Sequence, residues 1–113
     1  MTTIYHNPRC SKSRETLKLL EEKGITPSIE LYLETPPSPV DIQKLLDMLN
    51  LAPRDLMRTK ESIYKELDLK NEDDNNKLIQ AMASNPKLIE RPIVVHNGKA
   101  ALGRPPEQVL ELF

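Results

Sequence analysis

Apolar positions recur along this chain at spacings that change from strand-like to helical and back. Thr3-Ile4-Tyr5-His6 reads as a short strand, which Asn7-Pro8 ends. From Ser11 to Lys23, Leu17 and Leu20 fall at helical spacing with Leu19 beside them, and Gly24 supplies the left-handed stop. Ile29, Leu31 and Leu33 then alternate with Glu30 and Tyr32, the period-two pattern of a strand. Strand, helix, strand predicts a right-handed βαβ crossover with two parallel strands.

The proline-rich string Glu34-Thr35-Pro36-Pro37-Ser38-Pro39 is a rigid break. After it Ser38 is an N-cap, Pro39 the first helical residue, and Asp41 closes a capping box. Ile42, Leu45, Leu46 and Leu49 form one apolar helical stripe. A short helix is expected from Pro53 to Met57 or Arg58. Asn71-Glu72-Asp73-Asp74 leads to another carrying Leu78, Ile79 and Met82, stopped by Asn85-Pro86. Arg91-Pro92-Ile93-Val94-Val95 begins a strand. Asn97-Gly98 is a type I′ hairpin signal, and Lys99-Ala100-Ala101-Leu102 returns antiparallel. After Gly103-Arg104-Pro105-Pro106, a last helix runs from Glu107 to Phe113 with Val109, Leu110 and Phe113 facing inward. The order β-α-β, helical insert, β-β-α predicts an α/β, thioredoxin-like fold with a mixed sheet. In that fold a cis proline opening the third strand faces the thiol at the start of the first helix. Pro92 holds that position, so a cis Arg91–Pro92 bond is expected.

Composition narrows the classes. At 113 residues the chain is read as a single domain spanning 1–113, and its formal net charge of −1 does not call for a nucleic-acid partner. The first residues have no basic and apolar leader pattern, and no apolar run is long enough to cross a bilayer. A lone cysteine forbids an internal disulfide and suits a reducing cytoplasm. Nothing in the sequence calls for an obligate oligomer, so a monomer is expected.

Cys10 carries the candidate chemistry. A helix start offers free amide N–H groups and a positive dipole end, both favouring a thiolate, and Arg9, Lys12 and Arg14 lie nearby in sequence. The ordinary alternative is a buried structural cysteine. The string Cys10-Ser11-Lys12-Ser13 has no second thiol, so this is not a dithiol site. Thr16 stands where a phosphatase-type loop would need arginine, and Cys10 with His6 and His96 gives too few ligands, wrongly spaced, for a metal.

His6-Asn7-Pro8-x-Cys10-x-x-Ser13-Arg14 resembles the active-site segment of the glutaredoxin-linked arsenate reductase family. So do Leu31-Tyr32-Leu33-Glu34-Thr35-Pro36-Pro37-Ser38, Arg91-Pro92-Ile93-Val94-Val95 and Gly103-Arg104-Pro105-Pro106-Glu107, so the match runs from Ile4 to the C-terminus. The chain stops at Phe113, short of the C-terminal tail carried by the best-known members. The resemblance implies that Cys10 is the nucleophile and that Arg58, Arg91 and Arg104 bind the oxyanion. It also implies that His6 lowers the thiol pKa, with Ser13 donating to the thiolate and Pro92 opposite. Taken residue by residue, Arg58 is also readable as a helix-end cation, Arg104 as a surface charge, His6 as a strand-end histidine satisfied by backbone and Ser13 as a first-turn polar residue. The activity implied is arsenate reduction, with no bound cofactor, glutathione as co-substrate and glutaredoxin as partner. Two other classes share the fold: a glutathione-dependent deglutathionylating oxidoreductase, which C-x-x-S permits, and an Spx-type transcription regulator. Ser13 and Arg104 argue against the regulator.

Overall fold

A computed structural model describes residues 1–113. The chain forms two units: Met1–Thr35 with Arg91–Phe113, and the intervening Pro36–Glu90.

The first unit is a four-stranded sheet with one face on helices. Its strands are β1 (Thr2–Tyr5), β2 (Ser28–Glu30), β3 (Ile93–His96) and β4 (Lys99–Leu102), in the order β2-β1-β3-β4. β1 and β2 are parallel, and the other two pairings are antiparallel. The mixed sheet and its order are those of a thioredoxin-like fold, as the sequence predicts. Ile4 stands opposite Val94, and both are fully buried with Leu20 of helix α1 (Ser11–Glu22) and Val109 of the closing 3₁₀ segment Pro106–Leu112. Leu17, Ile25, Ala101 and Leu112 pack around this cluster. Ile4, Leu20, Val94 and Val109 each contribute about 1.5–3 kcal/mol by leaving water. Gly24 takes φ +78° at the end of α1, a conformation that costs glycine nothing. Asn97 and Gly98 both have positive φ, 49° and 80°, as the β3–β4 turn requires. Arg91–Pro92 is cis, as expected, and so is Arg104–Pro105.

Two sequence expectations are corrected here. The second strand ends at Glu30, not Leu33: the ladder stops at Tyr5–Glu30, and His6 N–H adds one bond to Glu30 O at 2.9 Å. Beyond that bond 31–35 close into a turn in which Glu34 N–H and Thr35 N–H both donate to Leu31 O. Freed from the sheet, Leu33 is 38% exposed while Tyr32 is buried. At the C-terminus the tighter 3₁₀ winding turns Leu112 rather than Phe113 toward the core. Phe113 is 48% exposed, and its ring lies 4.4 Å from that of His96. Leu110 is only half-buried.

The second unit is helical. α2 (Pro39–Leu49) opens with the expected capping box: Ser38 Oγ accepts from Asp41 N–H at 3.2 Å, and Asp41 Oδ2 accepts from Ser38 N–H at 3.4 Å. α2 packs on α4 (Asn75–Ser84), with Ile42, Leu45 and Leu46 from one and Leu78, Ile79 and Met82 from the other all buried. Between them lie a 3₁₀ turn at Pro53–Leu56 and a short helix, α3 (Ser62–Glu66), that no apolar pattern announces. Arg54 organises this stretch by donating to Tyr64 Oη at 2.6 Å, Leu69 O at 2.9 Å and Glu72 O. Met57 leaves the helical path and bridges Ile89, so the predicted helix ends one residue before it. No helix in the chain is long and apolar enough to cross a membrane.

Candidate active site

Cys10 is the N-cap of α1, with extended backbone angles of φ −95° and ψ 122°. Its N–H donates to Asn7 O at 3.0 Å, and its own carbonyl accepts from Arg14 N–H, the first turn of the helix. An N-cap side chain is normally an oxygen acceptor for the free amides above it. A thiolate meets the same need. Partial burial pushes the thiol up, but the Ser13 amide, the Arg91 guanidinium and the Lys12 amide outweigh it and hold Cys10 below the ordinary thiol value.

Ser13 is fully buried, and its hydroxyl is occupied elsewhere than the sequence reading expects. Ser13 Oγ accepts from Asn7 N–H at 3.0 Å and lies 2.5 Å from His6 Nδ1. It is therefore the Ser13 amide, not its side chain, that favours the thiolate. His6 is also buried, and burial, followed by the nearby Arg14 charge, pushes its pKa down. A neutral ring adds no positive charge beside Cys10; its hydrogen bond is to Ser13, which ties the strand end to the first helical turn. Around the same loop, Arg9 N–H donates to Asn7 Oδ1 at 3.0 Å and Arg14 donates to Pro8 O at 2.9 Å.

The arginines fall into two settings. The Arg91 guanidinium lowers the Cys10 pKa, and its Nε is buried with no hydrogen-bond partner. Arg104 is exposed, and its Nε donates to Arg91 O at 2.9 Å, so the two are joined through backbone. Arg58 belongs to the helical unit. There its N–H donates to Leu88 O at 2.7 Å, its guanidinium lies 3.8 Å from Glu61, and its Nε is likewise buried and unpaired. A buried guanidinium N–H without an acceptor is costly, and a bound oxyanion is the ligand type that relieves it.

Two contributors escaped the sequence reading. Gly103 N–H donates to Pro92 O at 2.9 Å, and a Cβ on Gly103 would stand 2.6 Å from Pro92 Cγ and inside contact with Thr16 Oγ1. Thr16 is fully buried, with Oγ1 donating to Lys12 O at 2.8 Å. Glycine is thus required where β4 leaves beside the cis proline, and the threonine fills what remains. The available signal was Ser13 and Thr16 in register with Leu20 on the inner face of α1, polar where apolar residues are usual. No group of three or more His, Cys, Asp or Glu side chains is arranged to hold a metal ion.

The ArsC family profile matches residues 5–112. The chain is 60% identical over 111 residues to the uncharacterised protein YfgD of Escherichia coli K12, covering 96% of this chain and 93% of that one. It is 52% identical over 108 residues to an arsenate reductase of Neisseria meningitidis, covering 94% and 92%. Among solved structures, an arsenate reductase from Vibrio cholerae superposes with a TM-score of 0.97 at 56% identity, covering 99% of this chain and 97% of that one.

Proposed function

The chain belongs to the ArsC family, and from that premise we propose that it reduces arsenate to arsenite through the Cys10 thiolate. The observation that carries the reading is the pairing of a thiolate-favouring N-cap cysteine with Arg91, whose buried Nε still lacks an acceptor. Arsenate is a tetrahedral oxyanion with up to two negative charges near neutral pH. Planar guanidinium groups stay charged and bind such oxygens in pairs. Arg91 and Arg104, joined through Arg91 O, and Arg58 are assigned to this task. Arg58 enters on the family pattern alone. Pro92 is the cis residue that follows Arg91 in the site.

The sulfur attacks arsenic(V), an As–S bond forms, and one oxygen leaves as water. Guanidinium charge stabilises the negative oxygens as the geometry changes. With one cysteine in the chain, no second protein thiol closes the cycle. Glutathione supplies the next sulfur to arsenic, displacing a second water. A glutaredoxin thiolate then takes the glutathionyl sulfur, forming a disulfide. The electron pair of the breaking As–S bond stays on arsenic, which becomes trivalent. Hydrolysis releases arsenite and restores Cys10. Glutathione is a co-substrate here rather than a bound cofactor, which fits a monomer working in the reducing cytoplasm.

The test is arsenate-dependent NADPH oxidation in the presence of glutathione, glutaredoxin and glutathione reductase. Cys10→Ser is expected to reduce the rate to background, and phosphate, which fits the arginines but has no reducible centre, to inhibit competitively. A Cys10→Ser rate comparable with wild type would sink the assignment.

A further inference from the structure

Beside the loop that delivers Cys10 lies a cavity of about 290 Å³, near the lower limit of about 300 Å³ for small-molecule sites. One wall is His6 to Arg9; the other is Leu31, Leu33 and Glu34 from the turn that replaces the end of the second predicted strand. The first wall is coupled to the nucleophile: Asn7 O holds the Cys10 N–H, and Arg9 is its covalent neighbour. Arsenate binding and thiolate formation leave Leu31, Leu33 and Glu34 without a role.

We propose that this cavity seats glutathione for its attack at the Cys10 site, an assignment that rests on glutathione being the co-substrate of the reaction proposed above. The lining carries groups complementary to that tripeptide. Glutathione has carboxylates at both ends, an ammonium group on its γ-glutamyl end and a short apolar thiol arm between them. Exposed Arg9, its backbone fixed by the bond to Asn7 Oδ1, offers a planar cation for a carboxylate. Exposed Glu34 offers an anion for the ammonium group, and Leu31 and Leu33 offer apolar surface for the methylene. A lining that holds one cation and one anion fits a zwitterion better than a simple anion. The volume suits a tripeptide.

The deciding measurement needs no arsenate. Cys10 thiolate attacks one sulfur of glutathione disulfide; a Cys10–glutathione disulfide forms, the original S–S bond breaks, and one glutathione thiolate leaves. Its rate, followed by mass spectrometry, is compared with the rate for uncharged hydroxyethyl disulfide. Leu33→Trp fills the cavity, and Arg9→Glu reverses its cation; each is expected to lower the ratio of the two rates about tenfold, the loss of one good contact. Equal slowing with both disulfides, or no slowing, overturns the assignment. Slowing confined to a glutaredoxin–glutathione mixed disulfide also overturns it, because the cavity is then a protein-docking surface. If the selective loss is found in a protein that fails to reduce arsenate, the cavity stands and only the arsenate reading falls.

Discussion

Cys10 owes its acidity to three groups with separable contributions: two helix-start amides, which only a proline substitution removes, and the Arg91 guanidinium. Because these favour the charged form, the thiolate population at neutral pH exceeds that of a free cysteine. Arg91→Ala removes one of them and moves the thiol pKa upward. Iodoacetamide alkylation of Cys10 should therefore slow near neutral pH and recover at alkaline pH, its midpoint displaced to higher pH. The same variant should lose about tenfold or more in kcat/KM for arsenate, since charge-assisted hydrogen bonds contribute about 1.5–3 kcal/mol. An unchanged alkylation midpoint would remove Arg91 from the thiol's surroundings. The sequence names Cys10 and Arg91, which act on each other, but His6 bonds Ser13 instead of acting on the thiol, and Ser13 acts on the sulfur through its amide instead of its hydroxyl. A motif names residues; whether a serine acts through its hydroxyl or its amide depends on which neighbour claims the hydroxyl, and His6 and Asn7 claim it.

At the scale of elements, legibility follows locality. The α2 capping box and the Asn97-Gly98 turn were readable because each is decided within four residues. The true end of β2 was not, because it is set by where β1 stops, about 25 residues away in the chain. α3 lacks an apolar stripe of its own; Arg54 gathers the carbonyls around it, a long-range arrangement with no periodic trace. Gly103 belongs here too, since its lack of a side chain matters only where β4, α1 and Pro92 converge. Gly103→Ala should destabilise the protein by about 1–3 kcal/mol, the usual cost of overpacking, read as a lower urea midpoint. A wild-type midpoint would mean that Pro92 and Thr16 yield without cost.

Across the whole molecule, the sheet is assembled from both ends of the chain: Thr2 pairs with His96, while Pro36–Glu90 forms its own unit between them. β1 is central, and it is the strand on which β2 pairs. A fragment ending at Glu90 lacks β3, so hydrogen exchange should find the amides of Thr2–Tyr5 unprotected in it and protected in the full chain; protection in the fragment would show that β1 and β2 suffice. The division has a consequence for how such a protein diversifies. His6, Cys10, Ser13, Arg91, Pro92 and Arg104 all lie in the discontinuous unit, and Arg58 alone travels with the insert. Recombination that exchanges residues 36–90 between relatives would carry the nucleophile and its acidity across intact, as one inherited parcel. Of the residues in the proposed reading only Arg58 would change hands, so exchange of the insert tests that reading's oxyanion preference while the surroundings of the sulfur stay constant.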